Sequence, residues 1–70
     1  DTPEGYIRQM VAEAGEGGIM LSTITDRLRA RFKDFKVRDL GYAQMRQYMA
    51  AVGDYDLEQS GRNLRIRLAK

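Results

Sequence analysis

Apolar residues recur along this chain first with a helical period and then with an alternating one. Tyr6, Ile7, Met10, Val11 and Ala14 fall at steps of three and four, the spacing that lines one face of a helix. Thr2, Pro3 and Glu4 precede them as an N-cap side chain, a first-turn proline and a first-turn acid. The pattern therefore predicts a helix over residues 3–14. Gly15, Gly17 and Gly18 supply its stop and a turn. The Gly-Glu-Gly-Gly run is short and lacks the Lys-Ser/Thr of a phosphate loop, so it reads as punctuation. Ile19 and Met20 fit a short strand. Ser22 can cap a second helix over 23–33, in which Ile24, Leu28 and Phe32 form a stripe that Leu21 and Phe35 extend. Arg29 and Lys33 lie away from that stripe, with Arg27 and Arg31 on its other flank. Asp39 can cap a third helix over 40–52 whose inward side is Gly41, Met45, Tyr48, Met49 and Val52. A glycine inside a helix costs ~1 kcal/mol relative to alanine, so Gly41 points to a close approach by the preceding helix, as in a helix-turn-helix.

After Gly53 and Asp54 the period becomes two. Tyr55, Leu57, Leu64, Ile66 and Leu68 alternate with Asp56, Glu58, Asn63, Arg65 and Arg67, which is a two-stranded hairpin with Ser60-Gly61 at its tip. That turn sets Leu57 opposite Leu64 and Tyr55 opposite Ile66 on one side. On the other side it sets Asp56 opposite Arg65 and Asp54 opposite Arg67. A loop one residue longer would set apolar residues against polar ones. The predicted order is helix, strand, helix, helix, strand, strand. This is an α+β fold, a small winged helix-turn-helix whose C-terminal β-hairpin is the wing, read as one domain over residues 1–70 without repeats or linkers.

Composition narrows the chemistry. Among 70 residues there is no Cys, no His and no Trp. No disulfide can form, the usual transition-metal ligands are missing, and so are the commonest general base and the thiol nucleophile. The reading is a non-enzyme that needs no cofactor and no metal. Asp54, Asp56 and Glu58 are the nearest thing to a carboxylate group, and alternation spreads them along one solvent face of a strand. No stretch approaches the ~18 apolar residues of a membrane span, and none resembles a signal peptide. The expectation is a soluble, cytoplasmic, monomeric domain, and the start at Asp1-Thr2-Pro3 points to a piece excised from a larger protein.

The net charge of +2 hides an asymmetry. Residues 1–26 carry one base, Arg8, against five acids, whereas the rest of the chain carries eleven bases against Asp34, Asp39, Asp54, Asp56 and Glu58. Nine of the twelve cations are Arg, whose planar fork suits bidentate phosphate contacts and can stack on a base. A duplex-reading winged helix arms its third helix with base-contacting side chains. Here the outward side is Ala43, Arg46, Gln47 and Ala50, with Gln44 and Ala51 at the edge, which argues against sequence-specific DNA readout. It favours a flat surface for RNA or for another protein.

A family resemblance rests on Leu28, Phe32 and Phe35, the run Arg38-Asp39-Leu40-Gly41-Tyr42, the triplet Tyr55-Asp56-Leu57 and the ending Arg65-Ile66-Arg67-Leu68. Over about residues 19–68 these resemble the LOTUS domain, also called OST-HTH. Leu40 stands where that family more usually has an aromatic, and no proline separates the two phenylalanines. The resemblance implies RNA binding, with G-quadruplex or double-stranded RNA as ligand, and attachment to NYN-type nuclease domains in bacterial proteins. It also implies an alternative, a protein-interaction role such as recruiting an RNA helicase, in a subset carrying a further C-terminal helix beyond the last strand. A quadruplex offers dense phosphate and an exposed plane, both of which Arg can meet. The candidate nucleic-acid-binding residues are Lys36 and Arg38 before helix three, Arg46 on it, Arg62 at the wing tip, and Arg29 with Lys33 on helix two. Arg65 and Arg67 are discounted because cross-strand acids face them.

Overall fold

The computed structural model describes residues 2–69; Asp1 and Lys70, which enter the charge count, lie outside them. The first helix, α1 (Pro3–Ala14), has the predicted bounds, and the Thr2 hydroxyl accepts the Gly5 N–H at 3.0 Å. A 3-10 turn over Gly15–Gly17 leads to β1 (Ile19–Met20) and directly into α2 (Leu21–Arg31). A second 3-10 turn, Val37–Leu40, precedes α3 (Met45–Val52), and β2 (Tyr55–Ser60) and β3 (Asn63–Leu68) form the hairpin. The sheet order is β1-β3-β2, all antiparallel.

Three expectations are corrected. Helix two starts two residues early and stops two residues early. Pairing of Met20 with Arg65 holds Met20 extended, so the helix begins at once and Ser22 falls inside it instead of capping it. At the other end Phe32 leaves helical geometry and turns its ring edge-on to Tyr6, 6.0 Å between centroids, which places Lys33 in the following turn. Helix three starts at Met45, not at residue 40. Gly41 sits at φ 90° with open space where a side chain would go, so it ends the 3-10 turn and no helix packs closely against it. Asp39 accepts the Lys36 N–H at 3.1 Å and organises that turn, while Gln47 accepts the Gln44 N–H at 3.2 Å and caps the true helix. Val52, expected inside, is 37% exposed.

The hairpin register is the third correction. Tyr55 pairs with Leu68, Asp56 with Arg67, Leu57 with Ile66 and Glu58 with Arg65. The two-residue loop is Gly61-Arg62, one position later than predicted. Gly61 has φ 62°, and a tight hairpin with positive φ at its first central position takes glycine there; the predicted loop would have asked this of Ser60. The shift preserves parity, so the apolar face is unchanged. Of the cross-strand neutralisation predicted for Arg65 and Arg67, Arg67 keeps an acid across the strands, Glu58 at 3.0 Å instead of Asp54, whereas Arg65 donates to the Gly17 carbonyl at 2.8 Å. Asp54 instead pairs with Arg8 at 2.9 Å.

The core lies between the three helices and the inner face of the sheet. Ile7, Val11, Ile24, Leu28, Met49 and Ile66 have no exposed surface, and Met10, Met45, Tyr48 and Tyr55 complete the cluster. The middle strand, which carries the fully buried Ile66, packs against both α1 and α2 and so joins wing and body. Burial pushes the Tyr55 phenol up to about 12, helped by neighbouring Tyr48, while Arg8 pulls it back. Burial, then Glu4 and Asp54, raises Tyr48 as well. The folded state thus favours the neutral phenols. Stability from Tyr55 is whole below the ordinary value of 10.0 and is lost as pH climbs through 10 toward 12, each unit being worth about 1.4 kcal/mol. Denaturant midpoints should fall over that interval and Tyr55→Phe should flatten the fall; a midpoint that stays constant in the wild type would contradict the buried placement.

Candidate nucleic-acid interface

Arg46 projects from the second position of α3, where its guanidinium donates to the Gln59 Oε1 at 2.6 Å. Gln59 uses its own amide nitrogen to clasp the hairpin tip, reaching the carbonyls of Gly61 at 2.9 Å and Asn63 at 3.1 Å. One glutamine therefore locks the wing tip to helix three, and Arg46 keeps its charge because its partner is neutral. Between the tip and α2 lies a groove of about 550 Å³ whose walls include Arg29, Arg46 and Arg62, with Leu21, Met45 and Leu64 as apolar surface. Asp26 also stands in this wall and offsets part of the positive field.

A second cleft of about 500 Å³ lies beside the first, lined by Arg29, Phe35, Lys36, Val37, Arg38 and Ala43. Arg29 borders both. Five of the six candidate cations are thereby gathered round two neighbouring clefts that share one arginine. Lys33 is not among them: it borders a further site with Asp34 and Asp39, which shares Phe35 but no cation with the second cleft, a consequence of the early end of α2. Among the described residues, Arg29, Lys36, Arg38 and Arg62 have no acidic ion-pair partner, and all four are exposed.

A third and larger cleft, about 840 Å³, lies at the base of the hairpin and mixes Arg8 and Arg67 with Glu16, Asp54 and Asp56. With two bases against three acids it carries no positive excess, which leaves the positive surface at the wing tip. Asp54, Asp56 and Glu58 are exposed, two of them already in ion pairs. Among the described residues no group of three or more His, Cys, Asp or Glu is placed to hold a metal ion, and no helix is long and apolar enough to cross a membrane. Sequence reasoning missed Gln59, Asn63 and Asp26 as parts of the groove. The first two are uncharged residues whose role depends on the true register. The third stands in the sequence only as one more acid of the N-terminal third.

A helix-turn-helix body closed by a β-ribbon, with cations free of acidic partners collected where ribbon and helices meet, defines a winged-helix binding module. The family model for the OST-HTH/LOTUS domain matches residues 2–66, and the chain belongs to that family. The match takes in α1 as well, beyond the stretch from residue 19 on which the resemblance was read. The family is one of RNA-binding and protein-interaction modules and is generally non-catalytic. Searches of curated proteins and of solved structures found no match.

Proposed function

We propose that this domain is a non-catalytic RNA-binding module, one unit of a longer protein, that takes structured RNA of the G-quadruplex or double-stranded kind. The observation that carries the reading is the convergence of Arg29, Arg46 and Arg62 on one groove, with Lys36 and Arg38 in the adjoining cleft. Guanidinium groups without an acidic partner at the edge of a concave surface suit closely spaced phosphates. The face of α3 supplies one cation beside Ala50 and Gln47, a poor set for reading base edges in a major groove.

A second reading has its own observation. Ala50, Ala51 and Val52 are all exposed at the end of α3, an apolar edge on which a protein partner could dock. The experiment that separates the two is a binding panel of G-rich folded RNA, a scrambled control, duplex RNA and duplex DNA at one ionic strength, followed by a salt titration. RNA is expected to bind more tightly than duplex DNA. With three to five phosphates contacted, log affinity should fall against log salt with a slope of about −2 to −4. Absence of RNA binding even at low salt defeats the RNA reading and leaves the protein-docking one.

A further inference from the structure

The second cleft differs from the first in its walls. Phe35 and Val37, both half-buried, and the exposed Ala43 make its floor apolar, while Arg29, Lys36 and Arg38 stand round it. The ring of Phe35 packs against the core on one side and borders the cleft on the other. The backbone that frames the cleft is tied down: the Phe35 N–H donates to the Phe32 carbonyl at 2.9 Å, and the Asp39 N–H and carboxylate both bond back to Lys36. A pure phosphate clamp has no use for an aromatic floor, and a purely apolar protein partner has no use for three cations around one.

We propose that this cleft receives a single unpaired nucleobase, stacked against Phe35, whose flanking phosphates are held by Arg29, Lys36 and Arg38. The inference rests on the RNA reading above and narrows it: the ligand is a folded RNA that presents an extruded base, at a loop, a bulge or the edge of a quadruplex, next to the stacked part held in the wing-tip groove. A cleft of about 500 Å³ lies within the ~300–1,000 Å³ usual for small-ligand sites. Splayed bases in RNA are commonly taken by aromatic side chains or Arg planes, with little preference when stacking alone decides. A fully paired helix has no base to offer, so it fills only the phosphate positions.

The test compares a linear RNA duplex carrying one bulged adenine with the same duplex fully paired and without a loop, at one salt concentration. The bulged duplex should bind about tenfold more tightly, within the range of one stacked base. A 2-aminopurine at the unpaired position should be quenched on binding. Ala43→Leu, which adds bulk to the cleft from an exposed position outside the core, should remove the preference, and Phe35→Leu, which keeps the side chain apolar but deletes the ring, should remove the quenching. Equal binding of both RNAs, with no quenching and no response to Ala43→Leu, overturns the base pocket while the RNA reading stands. Failure of both RNAs to bind overturns the two together.

Discussion

Alanine at position 18 should leave this domain largely unfolded near body temperature. Gly18 links the 3-10 turn to β1 with φ 76° and ψ 179°, a region that is close to glycine-only. A methyl group there would stand 2.8 Å from Arg65 Cγ, 2.9 Å from Arg67 Cγ and 2.9 Å from the Ile66 carbonyl oxygen. The arginine stems could bend away, but the carbonyl belongs to the central strand and takes part in the ladder. Backbone strain of ~1–3 kcal/mol adds to an overpacking cost of similar size. A domain of 70 residues has roughly 4–10 kcal/mol in total. The thermal midpoint should drop by on the order of 15 °C or more. Gly17→Ala is the matched control, since that position has no positive φ and nothing within 4 Å of the added carbon, and it should be close to neutral. Equal midpoints for the two variants would show that β1 does not lie against β3 as described.

Gly18 also marks the boundary of what the sequence made legible. Period and punctuation were enough for α1, where Thr2, Pro3 and the stripe from Tyr6 to Ala14 agree, and for the parity of the hairpin, where a period of two leaves one apolar face. They said that the glycines make a turn but not that one of them must pass within contact of a strand near the other end of the sequence, because a close approach belongs to the tertiary fold. The same limit explains helix three. Gly41 has identical local chemistry whether it faces a neighbour inside a helix or ends a turn, and the stripe of Met45, Tyr48 and Met49 continues in either case. The Gln44 and Gln47 pair was the available signal, a capping box with glutamine in the first place instead of Ser or Thr.

Charge was legible as an amount and less so as an arrangement. Helical projection grouped Arg29 with Lys33, four residues apart. A helix that ends at Arg31 cannot keep that pairing, so the two separate into different sites. Conversely, Arg46 and Arg62 lie on different elements, and the Gln59 clasp ties α3 to the wing tip. A shift of one position in the hairpin loop decides which side chains stand at that tip, and the loop choice depends on the positive φ at Gly61.

The separation of Arg29 from Lys33 leads to the sharpest expectation for binding. Arg29 borders both clefts, so Arg29→Glu should reduce RNA affinity by about ten- to thirtyfold, as the lost contact and the new repulsion act together in one place. The log-log salt slope should become shallower by about 0.7–0.9, one phosphate fewer. Lys33→Glu makes the same change of net charge on an exposed residue a few positions away, beside Asp34 and Asp39, and should alter affinity by no more than about twofold. Both positions are exposed, so neither variant removes core contacts, and equal thermal midpoints would confirm that folding is intact. If the two substitutions weaken binding equally, RNA is responding to the charge of the whole domain and not to the clefts; if Arg29→Glu alone acts, the cations gathered around Arg29 form the binding surface, because long-range attraction cannot tell two such similar charge changes apart.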